Sequence, residues 1–127
     1  MDTKEFSEHI ASLEHDKKVG IIISNSEGFP IYSSESRSEI YSAMSRKLFE
    51  EILSMRLKHH NTLRDLIINR SDGYSILSSV GELSNFVYIW VEFSTAYSMR
   101  KATLFTRNLK NFLKRNLLNT LDIVAEI

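Results

Sequence analysis

The order in which apolar patterns change period along this chain limits the folds that it can adopt. Strand-like runs rich in β-branched and aromatic residues occur five times, and apolar residues at helical spacing occur in three segments. Their order predicts the arrangement α-β-β-α-β-β-β-α. The strongest run, residues 86–93, is apolar on both alternating sides, as in a central strand covered by helices on both faces. No linker or repeat interrupts the pattern, so we expect one domain over residues 1–127, of the α/β (α+β) class.

Turn residues set the boundaries of these segments. The predicted helices span residues 3–15, 39–58 and 95–126, and the predicted strands span residues 19–24, 29–33, 63–70, 74–80 and 86–93. Residues 25–28 and 71–73 contain the Asn, Ser, Asp and Gly that hairpin turns favour, and residues 81–85 are expected to form a loop. Pro30 cannot donate a hydrogen bond to a neighbouring strand, so the second strand is expected at an edge of the sheet.

The second helix is apolar over a wider arc than one sheet requires. Its apolar residues are Ile40, Tyr41, Met44, Leu48, Phe49, Ile52, Leu53, Met55 and Leu57. At about 100° per residue they cover more than half of the circumference, whereas a helix with water on its far side needs an arc of only about 100°. The excess predicts that this helix contacts both its own sheet and a second protein surface.

The composition argues against several classes of function. Sixteen basic and 16 acidic residues cancel, so no overall attraction to nucleic acid is expected. The absence of cysteine excludes disulfides, thiolate chemistry and cysteine-based zinc sites. The four histidines form no metal-ligand motif, and no nucleotide-binding or hydrolase motif is present. We therefore expect a protein that is not an enzyme and carries no cofactor or metal. A polar N-terminus and the lack of a long apolar run predict a cytoplasmic location.

The last helix is strongly basic. It carries Arg100, Lys101, Arg107, Lys110, Lys114 and Arg115, with no acidic residue between Met99 and Asn116. A solvated basic face is the simpler interpretation. The functional interpretation is a contact with an anionic surface, either acidic lipid headgroups or an acidic patch on a protein. The candidate residues for that contact are Arg100, Arg107, Lys110 and Lys114. Nucleic acid is disfavoured, because the exposed side of the helix lacks interleaved aromatic residues.

The first hairpin and the element order resemble those of the roadblock (dynein light chain) domain family. Residues 19–33 read Val-Gly-Ile-Ile-Ile-Ser-Asn-Ser-Glu-Gly-Phe-Pro-Ile-Tyr-Ser, which is similar to the hairpin of family members. Val80 and Gly81 match a Val-Gly pair that the family places between strands 4 and 5. Longin domains resemble this layout but lack the first helix and end with two helices. PAS sensors place several short helices where this chain has one.

The resemblance implies a roadblock/profilin-like fold, in which a five-stranded antiparallel sheet has the order 2-1-5-4-3. Helix 2 would lie on one face, and helices 1 and 3 on the other. It also implies a homodimer, or a heterodimer with a sister subunit, in which the third strands pair and the second helices pack together. The candidate dimer residues are Leu66, Ile68, Tyr41, Leu48, Ile52 and Met55. Tyr41 and Met44 depart from the family, which often has small residues early in helix 2.

A small Ras-like GTPase is the partner that the resemblance implies, and its hydrolysis of GTP would in some cases be stimulated. The candidate contacts, expected to be exposed, are Arg37, Ser45 and Arg56. Two alternatives remain open at this stage. The chain could be a membrane- or complex-tethering adaptor that uses its basic helix, or a PAS-like sensor of a small ligand.

Overall fold

A computed structural model describes the backbone of residues 3–33, 38–59, 65–82 and 85–125, and the side chains of residues 3–33, 39–51, 65–81 and 87–116. The elements are α1 (Thr3–Lys17), β1 (Gly20–Asn25), β2 (Pro30–Ser33), α2 (Ser38–His59), β3 (Asp65–Arg70), β4 (Gly73–Glu82), β5 (Asn85–Ser94) and α3 (Met99–Ala125). The predicted order of helices and strands is confirmed.

Most boundaries shift by one or two residues, and two differences have a clear physical cause. The expected loop at 81–85 is wrong, because the β4–β5 ladder continues through Gly81 opposite Phe86 and Glu82 opposite Asn85. Gly81 makes this possible with a φ of 105°, a backbone conformation that glycine adopts without strain. The last helix begins at Met99, later than expected, because the Ser98 hydroxyl accepts a hydrogen bond from the Lys101 N–H at 3.2 Å and caps the helix there.

The sheet is antiparallel, and its strand order β2-β1-β5-β4-β3 confirms the expected topology. β5 is therefore the central strand. One row of residues across the sheet consists of Leu66, Leu77, Trp90, Ile22 and Ser33. The neighbouring row, whose side chains point to the opposite face, consists of Ile67, Ile76, Val91 and Ile21. Pro30 lies on β2, an edge strand, as predicted.

Each face of the sheet has its own apolar core. On one face, α1 and α3 cover a cluster that includes Ile10, Ile89, Val91, Phe93 and Leu113. On the other face, α2 covers a smaller cluster made of Ile22, Phe49, Leu77, Tyr88 and Trp90. The predicted placement of helix 2 on one face and of helices 1 and 3 on the other is confirmed.

A carboxylate fixes α1 to the edge of the sheet. Glu14 Oε2 accepts a hydrogen bond from the Ile21 N–H at 3.0 Å, and the Tyr32 hydroxyl donates to Glu14 Oε1. The last residue pair between β1 and β2 at this end is Ile22 with Ser33, so Ile21 lies just beyond that ladder. The Glu14 side chain therefore satisfies a backbone donor that would otherwise lack a partner strand.

The Tyr32–Glu14 contact makes stability depend on alkaline pH. Burial, the hydrogen bond to Glu14 and the charge of Glu14 raise the pKa of Tyr32 well above its ordinary value. A raised pKa means that the unfolded chain loses the phenolic proton first. The Tyr32–Glu14 contact therefore contributes its full stabilisation below about pH 10, and this contribution is lost as pH rises further. We expect Tyr32→Phe to lower the free energy of unfolding by about 1 kcal/mol at neutral pH.

Urea unfolding between neutral pH and pH 11 is the measurement, with about pH 10 as the expected onset of the loss. Burial also raises the pKa of Tyr74 and of Tyr88, so the variant should show a shallower alkaline loss, not a flat profile. An alkaline loss identical in wild type and Tyr32→Phe would contradict the assignment.

Candidate partner-binding surface

Small side chains allow α2 to lie close to the sheet. Ser42 and Ser45 are 0% and 1% exposed and face inward beside the buried Phe49. The Ser45 hydroxyl donates to the Tyr41 carbonyl at 2.8 Å, which satisfies it within the helix. At the helix's other flank, Gly28 has a φ of 87° and a Cβ there would lie 3.1 Å from Arg46 Cβ, so another residue would be strained in the backbone and crowded against α2. The inward side of α2 thus carries two small side chains beside Phe49.

Aromatic pairs fix the orientation of α2 on the central strand. The Tyr41 and Trp90 rings have centroids 5.1 Å apart, and so do the rings of Phe49 and Tyr88. Such pairs stabilise by about 1 kcal/mol beyond the area that they bury. The space between α2 and β5 is therefore filled by side chains. The clefts among the described residues lie along α3 and are open to solvent.

The outward side of α2 carries a narrow apolar strip beside the exposed charged residues Glu39, Arg46, Lys47, Glu50 and Glu51. Ile40 and Met44, one turn apart, are 59% and 42% exposed. Tyr41 and Leu48 are half-buried and adjoin the α2-face core. Isolated exposed apolar residues are common on proteins, but a continuous set on one helix marks a binding surface.

Strand β3 lies at an edge of the sheet, beside this apolar side of α2. Helix α2 packs mainly on β5, β1 and β2, which leaves the β3 side of the same face less covered. Leu66 and Ile68 point to that face and are half-buried. Ile67 points to the opposite face and is 48% exposed. An edge strand with apolar residues on both sides is a ready template for pairing with another strand.

The structure brings four of the predicted dimer residues together. Leu66, Ile68, Tyr41 and Leu48 all pack against the α2-face core. The side chains of Ile52 and Met55 lie outside the described residues. We define the α2–β3 surface as the exposed Ile40 and Met44 together with those four half-buried residues.

The GTPase-contact prediction is wrong in one of its residues. Ser45 was expected to be exposed, yet it is buried against the sheet, because it lies one turn before Phe49 on the same side of α2. Arg37 lies outside the described residues, and so does the side chain of Arg56. Phe49 lies one helical turn after Ser45, and its apolar side chain is the sequence signal that would have placed Ser45 on the buried side of α2.

Sequence reasoning also missed several buried polar atoms on the α2 face. Ser42 Oγ, Ser75 Oγ and Trp90 Nε1 are buried and make no hydrogen bond among the described residues. Burial, followed by the charge of Glu50, raises the pKa of the Tyr88 hydroxyl. The described residues contain no group of three or more His, Asp or Glu side chains that could hold a metal ion. The polar groups on this face are dispersed and do not form an acid–base pair.

The predicted basic residues of α3 lie on the opposite face of the molecule. Arg100, Arg107 and Lys114 are exposed. Lys110 is more enclosed, and its Nζ lies 3.8 Å from Asp65 Oδ1, which also accepts a hydrogen bond from the Ser78 hydroxyl at 2.5 Å. None of the described helices is long and apolar enough to cross a membrane.

Comparison with known proteins places this geometry in a known fold. No protein-family model and no curated protein matches the chain. Among solved structures, Myxococcus xanthus MglB is similar with a TM-score of 0.73 and 11% sequence identity, over 90% of this chain and 88% of that chain. The crystal structure of a Roadblock/LC7 domain from Streptomyces avermitilis is similar with a TM-score of 0.67 and 10% identity, over 78% of this chain and 84% of that chain. The roadblock resemblance is thus confirmed at the level of the fold.

The burial of Ser45 can be tested by placing a long charged side chain there. Ser45→Arg should lower the free energy of unfolding by roughly 3 kcal/mol or more, because the arginine would have to displace the sheet or bury its charge. Ala43→Arg, on the exposed side of the same helix, is the matched control and should change it by about 0.5 kcal/mol or less. Chemical denaturation monitored through Trp90 fluorescence is the measurement. Equal effects of the two substitutions would mean that Ser45 does not face the sheet.

Proposed function

We propose that this chain, which has the fold of roadblock/LC7 domains, is a non-catalytic regulatory or scaffolding module that forms a homodimer and binds a small Ras-like GTPase. It acts in the cytoplasm and contributes shape and contacts, while the catalytic groups belong to the GTPase. Support for the fold comes from the solved structures. Support for self-association comes from the chain's own surface.

The observation that carries the proposal is the α2–β3 surface. It combines an open strand edge with exposed apolar residues on the neighbouring helix, so pairing of β3 with β3 of a second copy would bring two such surfaces together. A two-fold axis at β3 extends the sheet and covers Leu66 and Ile68 of each copy. The exposed Ile40 and Met44 then become buried against the second copy's α2, which removes their apolar surface from water. The wide apolar arc of α2 has the same explanation.

The other sheet edge is less suited to pairing. β2 is short, Pro30 removes one of its backbone donors, and the Glu14 carboxylate occupies the Ile21 N–H beside its end. The proposal therefore assigns self-association to β3. A sister subunit with the same fold could replace the second copy and use the same edge.

The GTPase is proposed because of the roadblock resemblance, and its site is assigned to the surface that two α2 helices create side by side. Arg37, before α2, and Arg56, within it, are the proposed charged contacts. Ser45 is not part of this proposal because it is buried.

The first test is molar mass in solution by light scattering. The wild-type chain of 14.7 kDa should form a dimer, and Ile68→Lys should form a monomer, because a lysine at the strand edge would bury a charge in the interface. Met44→Lys, at a residue 42% exposed, should also weaken the dimer without disturbing the fold of one chain. Phe29→Lys, at the exposed hairpin tip near β2, is the control and should remain dimeric.

Circular dichroism of each variant separates loss of association from loss of fold. A folded wild-type monomer at concentrations of about 0.1 mM or more would contradict homodimerisation, because a specific interface of standard size gives micromolar or tighter affinity in most complexes. A dimer unaffected by Ile68→Lys and Met44→Lys, but broken by Phe29→Lys, would move the interface to the β2 edge.

The second test concerns the GTPase. We expect one small Ras-like GTPase from the source organism to bind the wild-type chain in a nucleotide-dependent way, and the double variant Arg37→Glu/Arg56→Glu to bind about tenfold more weakly or worse. Lys4→Glu, exposed on α1 at the opposite face, is the control and should bind normally. Biolayer interferometry with GDP- and GTP-analogue-loaded GTPases is the measurement. Absence of binding to every such GTPase in both nucleotide states would overturn this part of the proposal.

A further inference from the structure

A groove follows one side of α3 on the sheet face that α2 does not cover, and it reaches the β3 edge at Asp65. A cleft of about 330 Å³ is lined there by Asp65, Thr103, Arg107, Lys110, Asn111 and Lys114. A second cleft of about 410 Å³ shares Thr103 and Arg107 with it and continues to Met99, Arg100 and Leu104. We call the two together the α3–β3 groove. It follows α3 from Met99 to Lys114, a length of about 22 Å at the helical rise.

The groove carries unneutralised positive charge. No described carboxylate lies within ion-pairing distance, 4.0 Å, of Arg100, Arg107 or Lys114. Asp65 is the acidic residue in the groove, and it is already engaged by Lys110 at 3.8 Å and by the Ser78 hydroxyl. Three cations along one side of a concave surface create a potential that attracts an anionic ligand.

Apolar side chains accompany these cations. Leu104 is 51% exposed and Met99 is 44% exposed, and both line the groove. Ile67, 48% exposed, is the next residue after Asp65 on the same face of β3. A ligand that fills this groove therefore presents carboxylates or phosphates together with apolar groups.

We propose that the α3–β3 groove binds an acidic, amphipathic segment of a partner protein. Its acidic side chains pair with Arg100, Arg107 and Lys114, and its apolar side chains contact Leu104, Met99 and Ile67. The length of the groove suits a helical segment of about 15 residues. Recognition of this kind places an amphipathic segment in a groove and sets its direction by charge.

A protein segment fits better than a lipid surface. Arg107 and Lys114 line the cleft where α3 meets the β3 edge, whereas a bilayer is flat on the scale of one domain. A flat anionic membrane that also met α1 would gain no further attraction there, because the exposed Glu5, Glu8 and Asp16 are balanced by the exposed Lys4, Lys17 and Lys18.

This inference stands apart from the proposed GTPase function, because the groove lies on the other face of the sheet. The test is fluorescence anisotropy with a labelled peptide of about 15 residues in which Glu and Leu alternate at helical spacing. We expect binding that weakens as salt is raised. A peptide with Gln in place of every Glu should not bind.

Charge reversal within α3 locates the site. Arg107→Glu/Lys114→Glu should weaken peptide binding by about tenfold or more, since two attractive contacts become repulsive. Lys101→Glu makes the same kind of change on the same helix, but Lys101 lies on the other side of Leu104, in a cleft with Lys17 and Tyr97, so the expected effect is about twofold or less. All three residues are exposed, so each variant should fold, which circular dichroism verifies.

Three results would overturn the proposal. The first is no binding of the Glu–Leu peptide at low salt. The second is an equal loss of binding in Lys101→Glu and in Arg107→Glu/Lys114→Glu, which would indicate non-specific attraction. The third is sedimentation of the protein with phosphatidylcholine–phosphatidylserine vesicles while the peptide fails to bind, which would assign the basic face to a membrane.

Discussion

The need to bury both sides of β5 determines the layers of this molecule. Val87, Ile89, Val91 and Phe93 face α1 and α3, while Tyr88 and Trp90 face α2, and all six are at most 2% exposed. A central strand of this kind requires helices above and below it and paired strands on both sides. Burial of each of these side chains contributes about 1.5–3 kcal/mol to the free energy of unfolding. The positions of the two sheet edges, and therefore of the surfaces available to partners, follow from this arrangement.

The residue pattern predicts the elements well, because the apolar runs are distinct and the turns carry Gly, Asn or Asp, whereas the strand order was implied by the roadblock resemblance. Which side of α2 faces the sheet is harder to predict. Nine apolar positions covering more than half of the helix leave several arcs that could face the sheet, and serine has no strong preference for either side. The burial of Ser45 was missed for that reason, although Phe49 indicates the inward side. For β3, the three consecutive apolar residues 66–68 do not indicate which side faces α2, and pairing with β4 places Leu66 and Ile68 on that face.

The two boundaries have different causes, since the start of α3 follows from a local serine cap and the length of the β4–β5 hairpin follows from strand pairing. Whether β4 and β5 continue through Gly81 depends on their pairing with each other, which local propensity does not record. The hydrogen bonds of Glu14 likewise join α1 to two different strands. Orphaned polar atoms such as Trp90 Nε1 become visible only when the neighbouring side chains are in place. Local patterns thus predict elements, while the details of a binding surface depend on packing.

The sheet also separates two chemically different faces, one with the apolar α2–β3 surface and the other with the cationic α3–β3 groove. Since β3 forms the rim of both, two ligands can occupy the same molecule at once without competing for a side chain of either helix. A single small domain then has the geometry of an adaptor. Its α2–β3 surface recognises one partner by shape and loss of water, and its α3–β3 groove recognises another by charge. A rise in ionic strength would release the partner in the cationic groove and leave the partner on the apolar surface in place.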